Sequence, residues 1–416
     1  MAVFIPNHIK INHVVAPPSK SFAQRILLAA ALCSKKLMIE NTGNCDDVLA
    51  IIDVVQQLGT ELEWNNDKIH ISPRKNECKR TLNCGESGLG IRLTTSIAST
   101  FGGEFKLNGK GSLLQRPHND FSNFLPKMGV NVSTNNGYLP IQINGKLKGG
   151  EYTVDGSLSS QYISGLLMAL PLCEENSILT VLNSKSTPYI DITLDILEQF
   201  GIIIEHQNCQ VYQIKGKQNY QPSNNSILVE GDWSGAAFWI VFGLINGTIE
   251  IDNLNPNSFQ ADKEILSVVS QIGGHFSWKE NHLLIEKGKM PHKSFHFDAT
   301  HCPDLFPILV VLAASIKGTS KIKGVHRLEH KESDRGSVLM KEFGQLGLRM
   351  KIEDDTMIIH GTGVLNSGSI DSHNDHRIAM AGAVASQLTQ NGITIIDEKS
   401  VNKSYPNFWH VLLNHK

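Results

Sequence analysis

Ser19-Lys-Ser-Phe-Ala-Gln-Arg-Ile-Leu-Leu-Ala-Ala-Ala-Leu-Cys33 follows Pro17-Pro18 and precedes Lys36-Leu-Met-Ile-Glu40. Proline suits only the first turn of a helix and keeps the residue before it out of α conformation. A helix is therefore expected to start near Ser19 or Lys20. Past Arg25 it is apolar almost all round, the mark of an interior helix. Its polar residues crowd at the N-terminal end, where free N–H groups and about half a positive charge favour anions. Lys20, Ser21 and Arg25 there form a seat for a phosphate or carboxylate. Taken alone, the same residues equally describe a capped and solvated helix start.

The pattern recurs. Apolar helices opening on polar residues begin near Ser21, Ser87, Ser160, Ser234, Pro303 and Asp375, at intervals of 66, 73, 74, 69 and 72 residues. A β-rich segment follows each helix, as in Gly103-Glu-Phe-Lys-Leu107 and Ile393-Thr-Ile-Ile396. A second helix then ends on an apolar residue and a glycine: Leu58-Gly59, Met128-Gly129, Phe200-Gly201, Ile272-Gly273 and Leu346-Gly347. Glycines at these positions suit left-handed helix C-caps. Alternating strands close the unit, for example Leu139-Pro-Ile-Gln-Ile143. Each unit of about 70 residues reads helix, strand, helix, strand, strand, and six units fill the chain.

The sixth unit runs out inside its second helix, Tyr405 to Asn414. The strand-like His8-Ile-Lys-Ile-Asn-His-Val-Val15 is the expected supplier of its missing strands. Both termini then belong to one domain. Three units make a globule of ordinary size. That gives a first domain of residues 1–18 plus 227–416 and a second of residues 19–226, with a ligand site expected in the cleft between them.

Composition excludes several classes. Apolar content of 41% and charged content of 19% are those of a folded globular protein. A net charge of −2 offers no general attraction to nucleic acid, so any basic site is local. Seven cysteines without a C-x-x-C pair fit a reducing compartment better than a disulfide framework or zinc site. With no signal-peptide pattern and no apolar run long enough for a bilayer, the expectation is a cytoplasmic protein.

The residues suited to chemistry sit at helix starts. Gly85-Glu-Ser-Gly-Leu-Gly-Ile-Arg92 is glycine-rich but matches neither common phosphate-loop pattern. Asp155-Gly-Ser-Leu-Ser-Ser-Gln161 offers hydroxyls and an amide, and alone reads as a helix cap. Lys331-Glu-Ser-Asp-Arg335, taken alone, is an ordinary solvated face; Asp304 could be a cap or a partly buried acid. His376 and Arg377, leading into an apolar helix, are hard to explain by packing. No metal-ligand cluster and no serine nucleophile elbow is evident. Many cations with two acids, Asp304 and Glu332, suit acid–base work on small anionic substrates.

Five segments together resemble the enolpyruvyl transferases, most closely the 5-enolpyruvylshikimate-3-phosphate synthase branch. They are Ser19-Lys-Ser-x-x-x-Arg25, Gly156-Ser-Leu-Ser-Ser-Gln161, Pro188-Tyr-Ile-Asp-Ile-Thr193, Lys331-Glu-Ser-Asp-Arg335 and Asn374-Asp-His-Arg-Ile-Ala-Met380. The resemblance implies a two-domain inside-out α/β barrel with three repeats per domain. It implies transfer of the carboxyvinyl group of phosphoenolpyruvate to the 5-hydroxyl of shikimate-3-phosphate, through a tetrahedral ketal, with no metal or organic cofactor. Carried over by position, Lys20, Ser21, Arg25, Ser159, Ser160, Gln161, Ser186, Tyr189, Asp304 and Lys331 would hold shikimate-3-phosphate. Lys20, Gly88, Arg92, Arg116, Gln161, Arg335, Arg377 and Lys403 would hold phosphoenolpyruvate. Asp304, Glu332 and Lys20 would be catalytic. The expected partners are these two small molecules only, with no nucleic acid or membrane, and the protein is expected to act as a monomer.

The chain departs from the pattern at Pro18, Ala23 and Gln24, and more seriously at Glu86 and Leu89. A carboxylate at Glu86 is expected either to pair with a neighbouring cation or to weaken phosphoenolpyruvate binding. Two other readings compete: a catalytically silent ligand-binding paralogue, and a UDP-N-acetylglucosamine enolpyruvyl transferase. The second carries a reactive cysteine before its Arg-Pro, whereas Gly111 and Ser112 precede Arg116-Pro117 here.

Overall fold

The computed structural model describes every residue except 66, 76, 158, 289–291, 330 and 415–416; residue 158, inside the Asp155–Gln161 segment, is thus outside the described residues. The helices follow the repeat. They are α1 (Lys20–Ala31), α2 (Asp46–Gln57), α3 (Gly88–Thr100), α4 (Asp120–Phe124), α5 (Ser160–Ala169) and α6 (Pro188–Gln199), then α7 (Trp233–Asn246), α8 (Ile265–Ile272), α9 (Phe306–Ser315), α10 (Arg335–Gln345), α11 (His376–Ala385) and α12 (Phe408–Leu413). None is long and apolar enough to cross a membrane.

The chain divides into two compact units, Met1–Pro17 with Gly231–Lys416, and Pro18–Glu230. In the first, α7, α9 and α11 pack against one another. In the second, α3 packs against both α1 and α5. These odd-numbered helices have no polar face to give to water, so sheets cover them. Phe238, Trp239 and Phe242 of α7 and Ile308 to Leu312 of α9 are fully buried.

Among the described residues each unit carries three small sheets. In one of them Thr81–Asn83 lies parallel to Glu104–Asn108, which pairs antiparallel with Tyr138–Gly145 and through it with Val130–Asn135. Period-2 alternation sends Phe105, Leu107, Ile141 and Ile143 into the core. The repeat therefore has an extra opening strand: among the described residues five repeats are strand, helix, strand, helix, strand, strand, and the sixth has a three-stranded sheet. The opening strands are short and often polar, which hides them from periodicity.

The N-terminal segment does something other than expected. Ala2–Ile5, not His8–Val15, completes the sixth sheet, antiparallel to Ile393–Ile396. His8 takes a left-handed φ of 59° that ends any strand there. Only His13–Val15 of the later segment is a strand, and it pairs parallel with Thr248–Asp252 in a different sheet, with Val14 as its one inward residue. Ser226–Leu228 is the opening strand of the first repeat, parallel to Leu37–Glu40. That pairing carries the second unit through Glu230, past the crossing expected near Asn225–Ile227.

The repeat's glycines behave as left-handed caps: Gly59, Gly129, Gly201, Gly273 and Gly347 have φ of 90°, 86°, 73°, 88° and 84°. A Cβ on Gly273 would touch nothing, and neither would one on Gly344 inside α10, which has no positive φ. Gly273→Ala is expected to destabilise by about 1–2 kcal/mol through backbone strain alone. Gly344→Ala is expected to stabilise by about 0.4–1 kcal/mol through lost freedom of the unfolded chain. Denaturant titration of the two variants checks the opposite signs.

Candidate active site

In the first unit the chemistry gathers at the starts of α9, α10 and α11. Asp304 lies in the 3₁₀ turn Pro303–Leu305 that leads into α9. Its Oδ1 accepts from Lys331 Nζ at 3.3 Å and Arg335 Nη1 at 3.0 Å, and its Oδ2 accepts from Arg377 Nη2 at 3.1 Å. Glu332 Oε2 accepts from Arg335 Nη2 at 2.8 Å. Arg335 is wholly buried and also forks onto Asp375, with Nε to Oδ2 at 2.9 Å and Nη2 to Oδ1 at 3.2 Å. Asp375 accepts the Ser333 hydroxyl at 3.1 Å and caps α11 through the Arg377 N–H at 3.0 Å. One carboxylate thus seats one arginine and aims the helix that carries another.

The charges here balance: three cations against Asp304, Glu332 and Asp375. Burial pushes the Asp304 carboxyl up, but Arg377, Lys331 and Arg335 outweigh it and hold it well below the usual range. Burial lowers the Lys331 ammonium, and the neighbouring Asp304 only partly opposes this. Asp262, buried nearby and accepting from Ser234, is pushed up to about 7 by burial and by the Asp304 charge. Lys403 is buried on the 3₁₀ turn Glu398–Lys403, which packs against α11.

The second unit balances its charge differently. Arg25 is almost fully buried, yet among the described residues the four partners of its guanidinium are all neutral. Nε donates to Thr193 Oγ1 at 2.8 Å, Nη1 to the Ser21 carbonyl at 2.9 Å, and Nη2 to Ser164 Oγ at 3.4 Å and the Tyr189 carbonyl at 3.2 Å. Burial lowers Arg25 to about 10, so it stays protonated. A buried cation held by neutral groups keeps its attraction for an incoming anion. Tyr189 and Ser186 both stand at the start of α6, and Ser186 is held at a left-handed φ of 55°.

Lys20, one residue into α1, pairs with Asp47 Oδ2 at 3.0 Å in a largely buried bridge. Arg92 donates to Gln161 Oε1 at 2.5 Å and lies 5.0 Å over the Tyr162 ring. Gln161 follows the N-cap Ser159, whose hydroxyl accepts the Gln161 N–H at 3.3 Å, and Ser160 is buried beside them. Arg116 lies flat against Gly88, where a Cβ would sit 2.5 Å from its Nη1. His118 reports the local potential: burial, Arg92 and Arg116 depress its imidazole to about 3, so it adds no charge. Glu86 accepts from the Ser112 N–H at 3.2 Å and the Ser112 hydroxyl at 3.1 Å, at the start of the turn Gly111–Gln115. Gln24, unusual in its motif, is buried and takes the Ser87 hydroxyl at 2.5 Å, tying α1 to the cap of α3.

Within the first unit, then, Asp304, Glu332, Lys331, Arg335 and Arg377 meet as one cluster. Within the second, Arg25 meets Ser21 and Tyr189, and Arg92 meets Gln161. Asp47 and Ser164 escaped the sequence reading, and Asp375 and Thr193 stood in its motifs without a role. Asp375 marked a helix start, but its grip on Arg335 joins distant positions that no local pattern connects.

Residues 8–412 match the family model of EPSP synthase (3-phosphoshikimate 1-carboxyvinyltransferase). A 3-phosphoshikimate 1-carboxyvinyltransferase of Clostridium kluyveri is 37% identical over 96% of this chain and 93% of its own length. One from Clostridium perfringens is 36% identical over 98% and 96%. The solved EPSP synthase of Acinetobacter baumannii has the same fold, with a TM-score of 0.82, 24% identity and coverage of 99% and 96%. The enolpyruvyl transferase NikO of Streptomyces tendae also shares it, at a TM-score of 0.79 and 13% identity over 99% and 96% of the two chains, so the fold alone does not choose among such enzymes. The chain belongs to the EPSP synthase family.

Asp375 does two jobs that substitution separates. Asp375→Ala is expected to lower stability by about 3–5 kcal/mol, since it strips a partner from a buried guanidinium. Asp375→Asn, which still caps α11, should recover about 1 kcal/mol of that loss. Chemical denaturation of both variants measures the difference.

Proposed function

We propose that these residues divide the work of a 3-phosphoshikimate 1-carboxyvinyltransferase, the activity this chain has as a member of its family and a step of aromatic amino acid biosynthesis. Both residue sets serve one reaction. Ser21, Arg25, Ser159, Ser160, Gln161, Ser186, Tyr189 and Lys331 hold shikimate-3-phosphate. Lys20, Arg92, Arg116, Arg335, Arg377 and Lys403 hold phosphoenolpyruvate, with Gly88 leaving room for Arg116. The observation that carries the reading is the Arg335 guanidinium, buried and bonded to Asp304 and Glu332 at once. It brings two acids and a set of phosphate-reading cations to one place.

The reaction adds the 5-hydroxyl oxygen to C2 of phosphoenolpyruvate while C3 gains a proton, giving a tetrahedral ketal. Loss of a proton from that methyl carbon then expels phosphate and leaves the enol ether. Asp304 takes the hydroxyl proton, and Glu332 delivers and later removes the proton at C3. Without substrate, three cations hold Asp304 ionised and weakly basic. When substrate phosphates and carboxylates engage those cations, the carboxylate's proton affinity rises where a base is needed. Lys20 reaches both substrates from the start of α1. The protein works in the cytoplasm as a monomer; its seven cysteines, none of them in a C-x-x-C pair, support a reducing compartment.

Phosphate release from a mixture of shikimate-3-phosphate and phosphoenolpyruvate tests the assignment. Asp304→Asn and Glu332→Gln are each expected to lose at least about 100-fold in kcat. Lys20→Ala should stay folded and lose turnover. A protein that binds shikimate-3-phosphate yet never releases phosphate would be a silent paralogue instead.

Gly88→Ala tests the Arg116 seat separately. Its new methyl group displaces the guanidinium, so KM for phosphoenolpyruvate should rise about 10-fold to 100-fold, the worth of one charged hydrogen bond. KM for shikimate-3-phosphate should barely change in steady-state kinetics.

A further inference from the structure

On the outer face of the sheet built from His13–Val15, Thr248–Asp252, His282–Glu286 and His275–Lys279, two imidazoles and two carboxylates converge. Glu250 and Asp252 point outward because they alternate with the buried Ile249 and Ile251. His13 stands in register with Glu250 on the parallel neighbour, and its Nε2 lies 2.9 Å from Asp252 Oδ2. From the antiparallel neighbour, His282 Nδ1 bonds Asp252 Oδ1 and lies 3.7 Å from Glu250 Oε1. One donor atom each from Glu250, Asp252 and His282 lies within 4.8 Å of the others.

None of these residues takes part in the chemistry described above. With neutral imidazoles the two carboxylates leave a charge of −2, which a single divalent ion cancels. Zinc bonds nitrogen and oxygen at about 2.0–2.2 Å, which sets donors of a tetrahedral site about 3.4 Å apart. The spacings among Glu250, Asp252 and His282 bracket that value, and His13 adjoins this trio through Asp252 Oδ2, from which its imidazole turns in as the fourth donor. Mixed imidazole and carboxylate donors favour zinc, copper or nickel over magnesium or calcium. The side chains are half-exposed, leaving a coordination position for water. The other charged neighbours are Glu280, which adds to the attraction, and Lys279, in register with His282, which opposes it.

We propose that His13, Asp252, His282 and Glu250 form a site for a divalent transition-metal ion, with Zn²⁺ as the representative ligand. Bound metal would pin His13–Val15, the last strand before the chain leaves the first unit at Pro17, onto the sheet.

The test titrates the chelator-treated full-length protein with Zn²⁺ by calorimetry and follows its thermal midpoint. Wild type is expected to bind one ion and to melt at a higher temperature with zinc. A His13→Ala/His282→Ala double variant, folded by circular dichroism and unchanged in turnover, should lose at least about 10-fold in affinity, or 1.4 kcal/mol. Co²⁺ bound to wild type should show no thiolate charge-transfer absorption, since no cysteine is in the set. Absent binding, binding unchanged in the double variant, or a cobalt–thiolate band would each overturn the site.

Discussion

Six helices with no polar face impose the main constraint on this molecule. Such helices must be covered by sheet, so their sides are unavailable for chemistry and only their ends remain. Of α7, every residue from Trp233 to Leu244 is buried, and α11 is buried along its whole length. Functional groups are therefore pressed into the first turns and the loops before them, where unpaired N–H groups already favour anions. Asp304, Asp375 and Arg377, and Lys20 in the other unit, all sit at such places, and Arg25 lies in the second turn of α1. The packing rule and the active-site rule are one rule seen from two sides.

The two units solve the problem of buried cations in different ways. In the first, Arg335 and Arg377 are neutralised by carboxylates, and the site without substrate is a closed charge network. That makes the arginines stable in a buried place, and under the proposed assignment substrate anions would alter the basicity of Asp304 by competing for its partners. In the second, Arg25 is held by hydroxyls and carbonyls, which solvate it without cancelling its charge. A phosphate arriving there meets a cation with unspent attraction. The proposed acids, Asp304 and Glu332, belong with the first arrangement, and the proposed phosphate anchor, Arg25, with the second.

Glu86 shows how a local exception can be absorbed. A carboxylate in the glycine-rich loop looks hostile to an anionic substrate. The Ser112 N–H and hydroxyl bind it at the start of a 3₁₀ turn, and its carboxylate presses so closely on Gly111 that a Cβ there would collide with it. Gln24 is similar: it departs from the motif and is used internally, bridging α1 to the Ser87 cap.

Much of this was legible in the chain itself. Helix positions, the near-70-residue repeat and the five left-handed glycine caps follow from local signals, because helix capping and burial periodicity act over a few residues. Most of the candidate site residues could also be named, since they crowd at helix starts within short motifs. The short opening strands could not be read, nor could the choice of Ala2–Ile5 over His8–Val15 for the sixth sheet. Three-residue strands carry no periodicity, and partners in a sheet are chosen by which edge is open in space. The grip of Asp375 on Arg335 and the convergence of His13, Asp252 and His282 are likewise invisible along the chain. Each depends on strands and helices distant in sequence meeting at ångström spacing, and only tertiary packing sets that distance.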